Sequence, residues 1–460
     1  MTSLLRKIHS KLDNYHDKMY SNWKILALFI PLFCEYIFSN TVHFADTVMV
    51  AYVSEDAVSG VSLAAKFSQI LTTFTGGFTV AASIMMTQYI GRKDYEQAAK
   101  TAKQALLVCY AISIPISLLF IFFAPQILSL IYPEISAQSF EAASITLRMS
   151  GFNLFFWTFN ICMSKVFISQ GISKISLIMN IISNVVNIIG NSIFIYVFNM
   201  GVFGASLATL ICTMVVAVSY IFFLRKKQNR INILKDFKEF IPQKEKIKRI
   251  VSLGIPTGFE NALSYFAKFF VAVLAAQCAQ TALNADTIAH EISNYFVMGG
   301  CAVGQTINVV IGHCAGAGRI EDVKYFAKKL TKWSMGFQLV FGTFIIIFLD
   351  PISAMYGLSP ETTQLTKELV IPYIIFGIPF WTLSYTIPNA FRACGDVKYT
   401  MFIASISLWV CRVGCAYILF YLTNLGIWSL WVASYIDWAV RSVSNVIHFK
   451  ANKWTKKKVI

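Results

Sequence analysis

Pro31-Leu-Phe-Cys-Glu35 and Pro256-Thr-Gly-Phe-Glu260 each open a long apolar segment, 225 residues apart (31 to 256). The same displacement recurs down the chain. Phe156-Trp157-Thr158 is matched by Phe380-Trp381-Thr382 at 224 residues (157 to 381). Ser169-Gln-Gly171-Ile-Ser-Lys174 is matched by Ala393-Cys-Gly395-Asp-Val-Lys398, again at 224 (171 to 395). Tyr196, Asn199 and Gly201 are matched by Tyr421, Asn424 and Gly426 at 225 (201 to 426). Each correspondence is loose alone. Four in one order at nearly one spacing imply two equivalent halves. In a membrane, paired halves are the usual architecture of alternating-access transporters.

Composition places the chain in a membrane. Of its 460 residues, 56% are apolar and only 13% charged, against roughly 25% charged in a soluble protein. The mean hydropathy is +0.61. Too little polar material is present to cover a water-facing surface. The net charge of +16 is therefore read as a membrane feature, and no nucleic-acid partner is expected. Ten cysteines are scattered through the chain without a CxxC pair. Cys411 and Cys415 lie one helical turn apart, but no His or second cysteine pair joins them as a metal site. They read as small buried hydrophobes. The basic first residues lack a short apolar stretch ending in a cleavage site, so no cleaved signal peptide is expected.

A membrane helix needs about 20 mostly apolar residues. Twelve runs qualify: 25–52, 58–89, 99–124, 140–168, 175–198, 202–224, 250–277, 285–314, 325–349, 368–391, 398–421 and 427–449. The expected fold is an all-α polytopic membrane protein, with twelve transmembrane helices in two six-helix lobes. The expected organisation is an N-terminal segment at 1–24, a first lobe at 25–224, a basic linker at 225–249, a second lobe at 250–449 and a basic tail at 450–460. With twelve crossings, the basic residues fall on one side: Lys7 and Lys11, Arg92 and Lys93, Arg225 to Arg249, Arg319 to Lys332, and Lys450 to Lys458. The other side offers little beyond Lys367. Positive loops stay in the cytoplasm, which puts both termini and the linker there, in a plasma (inner) membrane. Six spans return the chain to its starting side, so the repeats are parallel and related by an axis along the membrane normal. The linker reads either as an amphipathic helix on the anionic leaflet or as a solvated charge run that fixes topology.

Several segments resemble the multidrug and toxic compound extrusion (MATE) family. Phe44-Ala-Asp46-Thr47-Val-Met-Val50 is similar to that family's Asp-Thr-hydrophobic-Met-Val stretch. Asn187-Ile-Ile-Gly-Asn191 and Gly201-Val-Phe-Gly204-Ala-Ser-Leu-Ala-Thr209 follow its Asn-x-x-x-Asp/Asn and Gly-x-x-Gly-Ala-x-x-Ala-Thr pattern. Gly254-Ile-Pro256, Ala289-His290-Glu291-Ile292, Gly316-Ala-Gly318 and Phe391-Arg392-Ala-Cys-Gly395-Asp396 continue the likeness through the second half. The resemblance implies an antiporter that exports organic compounds, cationic or amphipathic, while admitting Na⁺ or H⁺, with no other cofactor.

Ionisable groups inside the bilayer are costly and are functional candidates by default. Asp46 lies deep in the first span, and its counterpart in the second repeat is Val271 (46 to 271, 225). The asymmetry assigns the coupling ion to the first lobe. The resemblance makes Asp46 a protonation or cation-binding aspartate, the one candidate Na⁺ site. Asn187, Asn191 and Thr209 could supply neutral oxygens to Na⁺ or hydrogen bonds to protonated Asp46. Asn191 stands where some family members carry a second aspartate, which weakens a Na⁺ reading more than a H⁺ reading. The alternative for Asp46 is a helix-terminal cap near the outer surface. For the asparagines it is interhelical hydrogen bonding with no ion role.

A substrate cavity is expected around Glu35, Glu260, Ser264, Lys268, Glu291, Arg412 and Asp437. Glu35 and Glu260 are repeat-related. Glu260 either binds cationic cargo or pairs with Lys268, two turns along. Asp437 and Arg441, four apart, can pair on one helix face. Two readings of the charged second lobe stay open: an ion-pair network, or a cavity in which Arg412 and Lys268 welcome anionic or zwitterionic cargo. Aromatic residues such as Tyr36, Trp157 and Trp381 either line a cleft or serve packing and lipid contact. Other classes fare worse. No DDxxD, HExxH, Walker or GxSxG motif appears, so no enzyme is expected. A lipid-linked oligosaccharide flippase shares the two-lobed plan and is the closer rival. A channel lacks its ring of repeated filter residues. The expected assembly is a monomer with small-molecule substrates.

Overall fold

The structure is a computed structural model that describes residues 18–51, 54–226, 229–231, 233, 241–457 and 459–460, and not the side chains of 42–48, 50, 51, 55 and 355. The first lobe consists of α1 (Asn22–Ala51), α2 (Glu55–Gly91), α3 (Tyr95–Ile131), α4 (Ala137–Ser169), α5 (Ser173–Val197) and α6 (Gly201–Leu224). The second consists of α7 (Lys244–Ala275), α8 (Gln280–Gly316), α9 (Ile320–Ile347), α10 (Pro360–Ala393), α11 (Val397–Leu422) and α12 (Trp428–Ala451). Each covers most or all of one expected span. Among the described residues, ten helices are long and apolar enough to cross a membrane. The other two, α7 and α12, interrupt their apolar runs with Glu260 and Lys268, and with Asp437 and Arg441.

Local chemistry sets the helix starts. Ser54, Asp94, Ser136 and Ser359 each accept a backbone N–H of the first turn, satisfying donors that the helix leaves orphaned. The repeat is visible in the turns. Gly171 and Gly395 both take left-handed backbone, φ 79° and 91°, and so do Gly201 and Gly426, φ 55° and 53°. Only glycine adopts that region without cost, which explains why these two pairs of glycines stand in register. Among the described residues the helices stray from α geometry at Phe123 of α3 (φ −118°, ψ 16°) and in π-helical turns over Ser192–Val197, Gly377–Thr386 and Ser407–Gly414.

The lobes meet along a repeat-related crossing. A Cβ on Gly91 of α2 would lie 2.2 Å from the carbonyl oxygen of His313 on α8, and one on Gly316 of α8 would lie 2.0 Å from that of Gln88 on α2. Gly91 and Gly316 are counterparts (91 to 316, 225), as are Gln88 and His313 (88 to 313). The two contacts are therefore one contact made twice about a pseudo-twofold axis. Gln88 Nε2 also donates to Ala393 O at 2.7 Å, and a His313 ring nitrogen meets Ser169 O at 2.8 Å. Two hydrophobic clusters mix residues of both lobes here. One joins Met85, Phe167 and Tyr220 to Leu253 and Val397; the other joins Leu28 and Ile168 to Val310 and Phe391. The remaining clusters each stay within one lobe. The lobes are thus welded at the end that carries Arg92, Arg225 and Arg319, and their cores separate towards the other end.

The chain ends reinforce that weld. Lys18 pairs with Asp322 at 3.0 Å, and Met19 N donates to the same carboxylate at 3.2 Å. Described linker residues ahead of α7 dock on the first lobe. Gln170 Oε1 accepts from Arg230 N and Ile231 N, and the Gln104 side chain bonds Ile241 O and Gln243 N. Ile231 and Ile233 are buried in the first lobe's core, and Lys244–Arg249 already belong to α7. The C-terminal tail runs back across both lobes: Ile460 O accepts from Arg92, and Val459 O accepts from Arg249. Trp454 anchors it, fully buried against Phe391 and Phe449. Deleting a buried aromatic side chain costs about 3–5 kcal/mol. Trp454→Ala should therefore release the tail, raising tryptic cleavage at Lys456 and Lys457 by on the order of a hundredfold while the helical bundle stays intact.

Candidate functional site

In the first lobe, Asn180, Asn184, Asn187 and Asn191 are spaced four, three and four apart. A 3.6-residue period puts them on one face of α5. Asn191 Nδ2 donates to Asn187 Oδ1 at 3.2 Å, and Asn187 Nδ2 reaches Thr209 Oγ1 on α6 at 3.4 Å. Asn184 Nδ2 reaches Asn180 Oδ1 at 3.2 Å and Phe38 O of α1 at 3.3 Å. Beside them, Thr213 Oγ1 donates to Asn153 Oδ1 at 2.6 Å, and Asn160 Nδ2 to Thr213 O at 2.9 Å. Asn187 and Asn191 are buried. Their neutral amide and hydroxyl oxygens, in the middle of apolar helices, suit a hard monovalent cation or a carboxylic acid proton. Asp46 belongs to the same α1, eight residues beyond Phe38, on a segment whose side chains lie outside the described residues.

Nearer the weld, α1, α4 and α8 share a polar floor. Lys165 Nζ donates to Gln305 Oε1 at 3.1 Å, and Gln305 Nε2 to Tyr36 OH at 2.8 Å. This chain joins the lobes. Glu35 faces Ser176 and the Lys165 ammonium, and its Oε2 is buried with no hydrogen-bond partner. A cavity of about 20 Å³ lies beside Lys165, Gln305 and Asn308, room for roughly one water.

In the second lobe, Glu260 pairs with Arg392 at 2.5 Å, across α7 and α10. It does not pair with Lys268, two turns farther along α7, which stands over the Tyr265 ring at 5.4 Å. Arg392 arrives from another helix at Glu260's own depth, where Lys268 cannot reach. Ser264 donates back to Glu260 O within the helix at 2.8 Å. Asp437 and Arg441 do pair, at 2.8 Å, and Ser407 Oγ donates to the same carboxylate oxygen at 2.5 Å. Asp437 is fully buried, a position that suits a structural network better than cargo. Glu291 is exposed, within electrostatic reach of Tyr356.

Lys268 and Arg412 remain. Among the described residues neither forms an ion pair, and each lies in the electrostatic field of the other and of His290. His290 stacks on Trp431 at 4.8 Å and approaches Asp286 at 3.7 Å, while Trp431 Nε1 donates to Asp286 Oδ1 at 2.8 Å. With two unpaired bases against one acid, this corner carries net positive charge. Arg412 sits in the π-helical stretch of α11 and is the repeat counterpart of Asn187 (187 to 412, 225). π-helical turns commonly mark functional positions. Equivalent places in the two lobes thus hold a neutral amide and a guanidinium. No group of three or more His, Cys, Asp or Glu among the described residues could hold a metal ion.

The MatE family model matches the chain twice, over residues 31–193 and 256–418, again a displacement of 225 (31 to 256, 193 to 418). This chain belongs to the MatE family. Relatives match along nearly its whole length. It is 24% identical to the uncharacterized transporter YisQ of Bacillus subtilis over 96% of each chain. It is 24% identical to the probable multidrug resistance protein NorM of Bacillus subtilis, covering 89% of this chain and 91% of that one. A solved structure described as MATE in the bent conformation superposes with a TM-score of 0.85 at 19% identity, covering 93% of this chain and 94% of that one.

As a MatE protein the chain is a multi-pass membrane transporter that exports small-molecule substrates, and the twelve-helix, two-lobed fold is the family's. Sequence reasoning missed several polar residues of this MatE fold. Asn180 and Asn184 extend the α5 stripe, and their four-three-four spacing was a usable signal. Asn153, Asn160 and Thr213 complete the cluster from other helices. Lys165, Gln305 and Asp286 carry no local pattern that marks them. Arg392 was seen only as part of a turn motif.

Proposed function

We propose that the chain is a secondary antiporter that exports amphipathic organic compounds in exchange for H⁺ or Na⁺. Its two lobes alternate access by rocking about the α2–α8 crossing. The basic end, with both termini, faces the cytoplasm of a plasma-membrane-bounded cell, in line with the distribution of Lys and Arg. In that orientation the weld closes the cytoplasmic side and the separated cores face outward. The observation that carries the reading is the asymmetry between lobes. Only the first combines Asp46 on its opening helix with the amide stripe of α5. An inward-moving ion captured at Asp46, with Asn187, Asn191 and Thr209 as neighbours, changes the packing of α1 against α5. Because α1 also packs on α8, that change reaches the interface and favours release of cargo.

Asp46→Asn tests this. In liposomes the variant is expected to insert and fold, and to lose dye efflux driven by either a pure proton or a pure sodium gradient. A drop of roughly a hundredfold is expected for loss of a coupling carboxylate, equivalent to about 2.7 kcal/mol. Wild-type efflux by the variant would reject the coupling role, and the gradient that drives the wild type identifies the ion.

A second reading of the cargo rests on Lys268 and Arg412. Two unpaired bases in apolar helices favour a carboxylate, sulfonate or phosphate on the transported compound. Competition between anionic and cationic dyes decides it. Loss of anionic transport alone in Arg412→Gln supports the basic corner as a cargo site, and equal loss of both assigns Arg412 to the scaffold.

A further inference from the structure

A groove of about 650 Å³ opens between α9 and α12 at the basic end, over α10 and lined by second-lobe residues. Lys324, Lys328 and Lys332 line it from α9, and Lys450 lines it from the end of α12. The three α9 lysines are four apart, so they form one stripe along the helix. No acidic side chain lines the groove. Glu321 lies 3.5 Å from Lys324 and is itself largely exposed, while Asp322 and Asp396 are engaged by Lys18 and Arg319 and by His448. Lys328 stands over the Phe449 ring at 5.9 Å. Farther in, the lining turns apolar, through Met335, Leu383, Ile387 and Val446. From Lys324 to Met335 the helix rises about 16 Å, so the groove passes from ammonium groups to methyl groups over the depth of a lipid headgroup and the first part of its chains.

Membrane physics makes this arrangement informative. Lys332 lies about three turns inside α9 and faces outward, where a bare ammonium beside lipid tails is costly. It can extend its stem towards the interface, but four lysines converging on one groove then repel one another. A single anionic phosphate at the mouth resolves both problems, and acyl chains fill the apolar floor. A zwitterionic headgroup brings its own cation and satisfies the lysines less well. A free phosphate ion satisfies the charges and leaves the floor empty.

We propose that this groove is a specific binding site for one anionic phospholipid, such as phosphatidylglycerol, in the leaflet that the basic end faces. The bound lipid bridges α9 and α12, two helices of the second lobe, and stabilises that lobe at the weld. The proposal is independent of the nature of the cargo and of the coupling ion.

The test uses full-length purified protein exchanged into nanodiscs of phosphatidylcholine with graded phosphatidylglycerol. Lipid retention is read by native mass spectrometry, alongside the thermal unfolding midpoint. The wild type is expected to retain one phosphatidylglycerol and to gain stability at low mole fraction. Each lysine near an anionic lipid contributes about a fivefold factor, so Lys324→Gln/Lys328→Gln/Lys332→Gln should weaken retention by roughly a hundredfold. These lysines are at least partly exposed, so the fold should persist. A control that removes three charges elsewhere at the same end, Lys226→Gln/Lys244→Gln/Lys248→Gln, should retain the lipid as the wild type does. Equal loss in the control would reduce the effect to diffuse surface charge and overturn the site. So would retention of phosphatidylcholine to the same extent, or full stabilisation by millimolar inorganic phosphate in detergent.

Discussion

Arg441→Leu is expected to destabilise the protein by about 3–5 kcal/mol, read as a fall in the thermal unfolding midpoint of the detergent-solubilised chain. The expectation follows from what Arg441 leaves behind. Asp437 is fully buried and is met by Arg441 at 2.8 Å and Ser407 at 2.5 Å, both on one carboxylate oxygen. Its other oxygen, Oδ2, has no hydrogen-bond partner. Without the guanidinium, a buried carboxylate keeps one hydroxyl donor. Arg441 also lies 5.1 Å from the centre of the Tyr385 ring, so its loss removes packing between α12 and α10. The pair itself has little net value, because removing both charges from water cancels most of their attraction. Asp437→Ala/Arg441→Met should therefore recover at least half of the lost stability. The first lobe shows that the position tolerates apolar side chains: the counterparts of Asp437 and Arg441 are Cys212 and Val216 (212 to 437 and 216 to 441, 225). Ser407 keeps the backbone carbonyl of residue 437, at 3.1 Å, as its acceptor. A double variant no more stable than Arg441→Leu would assign the pair a role in holding the fold.

The second large effect is expected at the crossing of the lobes. In Gly316→Val the new Cβ would sit 2.0 Å from the Gln88 carbonyl oxygen, far inside van der Waals contact and against backbone. Helices α2 and α8 must move apart there, and the Gln88 bond to Ala393 O goes with them. Each helix lies within its own lobe's bundle, so the cheaper movement is between lobes. The variant should favour the state in which the basic end is open, and lose transport by roughly tenfold or more, as expected when one of two alternating states is disfavoured by over 1.4 kcal/mol. Cys314 and Cys394 are buried at this end. Their labelling by a membrane-impermeant thiol reagent, located by mass spectrometry, should rise in the variant. Gly91→Val should do the same, since it makes the symmetry-related clash. Unchanged labelling with full transport in both would show that the crossing does not move.

How much was legible beforehand depends on distance along the chain. The twelve runs, the twofold repeat and the one-sided basic charge are properties of composition and spacing. So is the Asp437–Arg441 pair, because a helix fixes what lies four residues away. The α5 stripe of asparagines falls in the same class, although only Asn187 and Asn191 were singled out. Glu260 marks the boundary. Its neighbour on the same helix, Lys268, was the natural partner to consider, yet its ion pair is with Arg392, 132 residues on. The linker shows the same limit: its charge left a surface helix and a solvated run both open, and nothing in its spacing marked Ile231 and Ile233 for burial in the first lobe's core.

The chain by itself determined that there are two bundles of six apolar helices, and that only the first carries an acid at the Asp46 position of its opening helix, where the second has Val271. A 3.6-residue period and a 20-residue span are local rules, and any lipid-bathed chain must obey them. Only the tertiary structure decided that Gly91 meets His313 while Gly316 meets Gln88, that Lys165 reaches Gln305 across the lobes, and that Lys268 and Arg412 stand together without an acid of their own. Those meetings depend on the rotation and depth of one rigid helix against another. Close packing of small residues sets both, and no spacing along one helix encodes them.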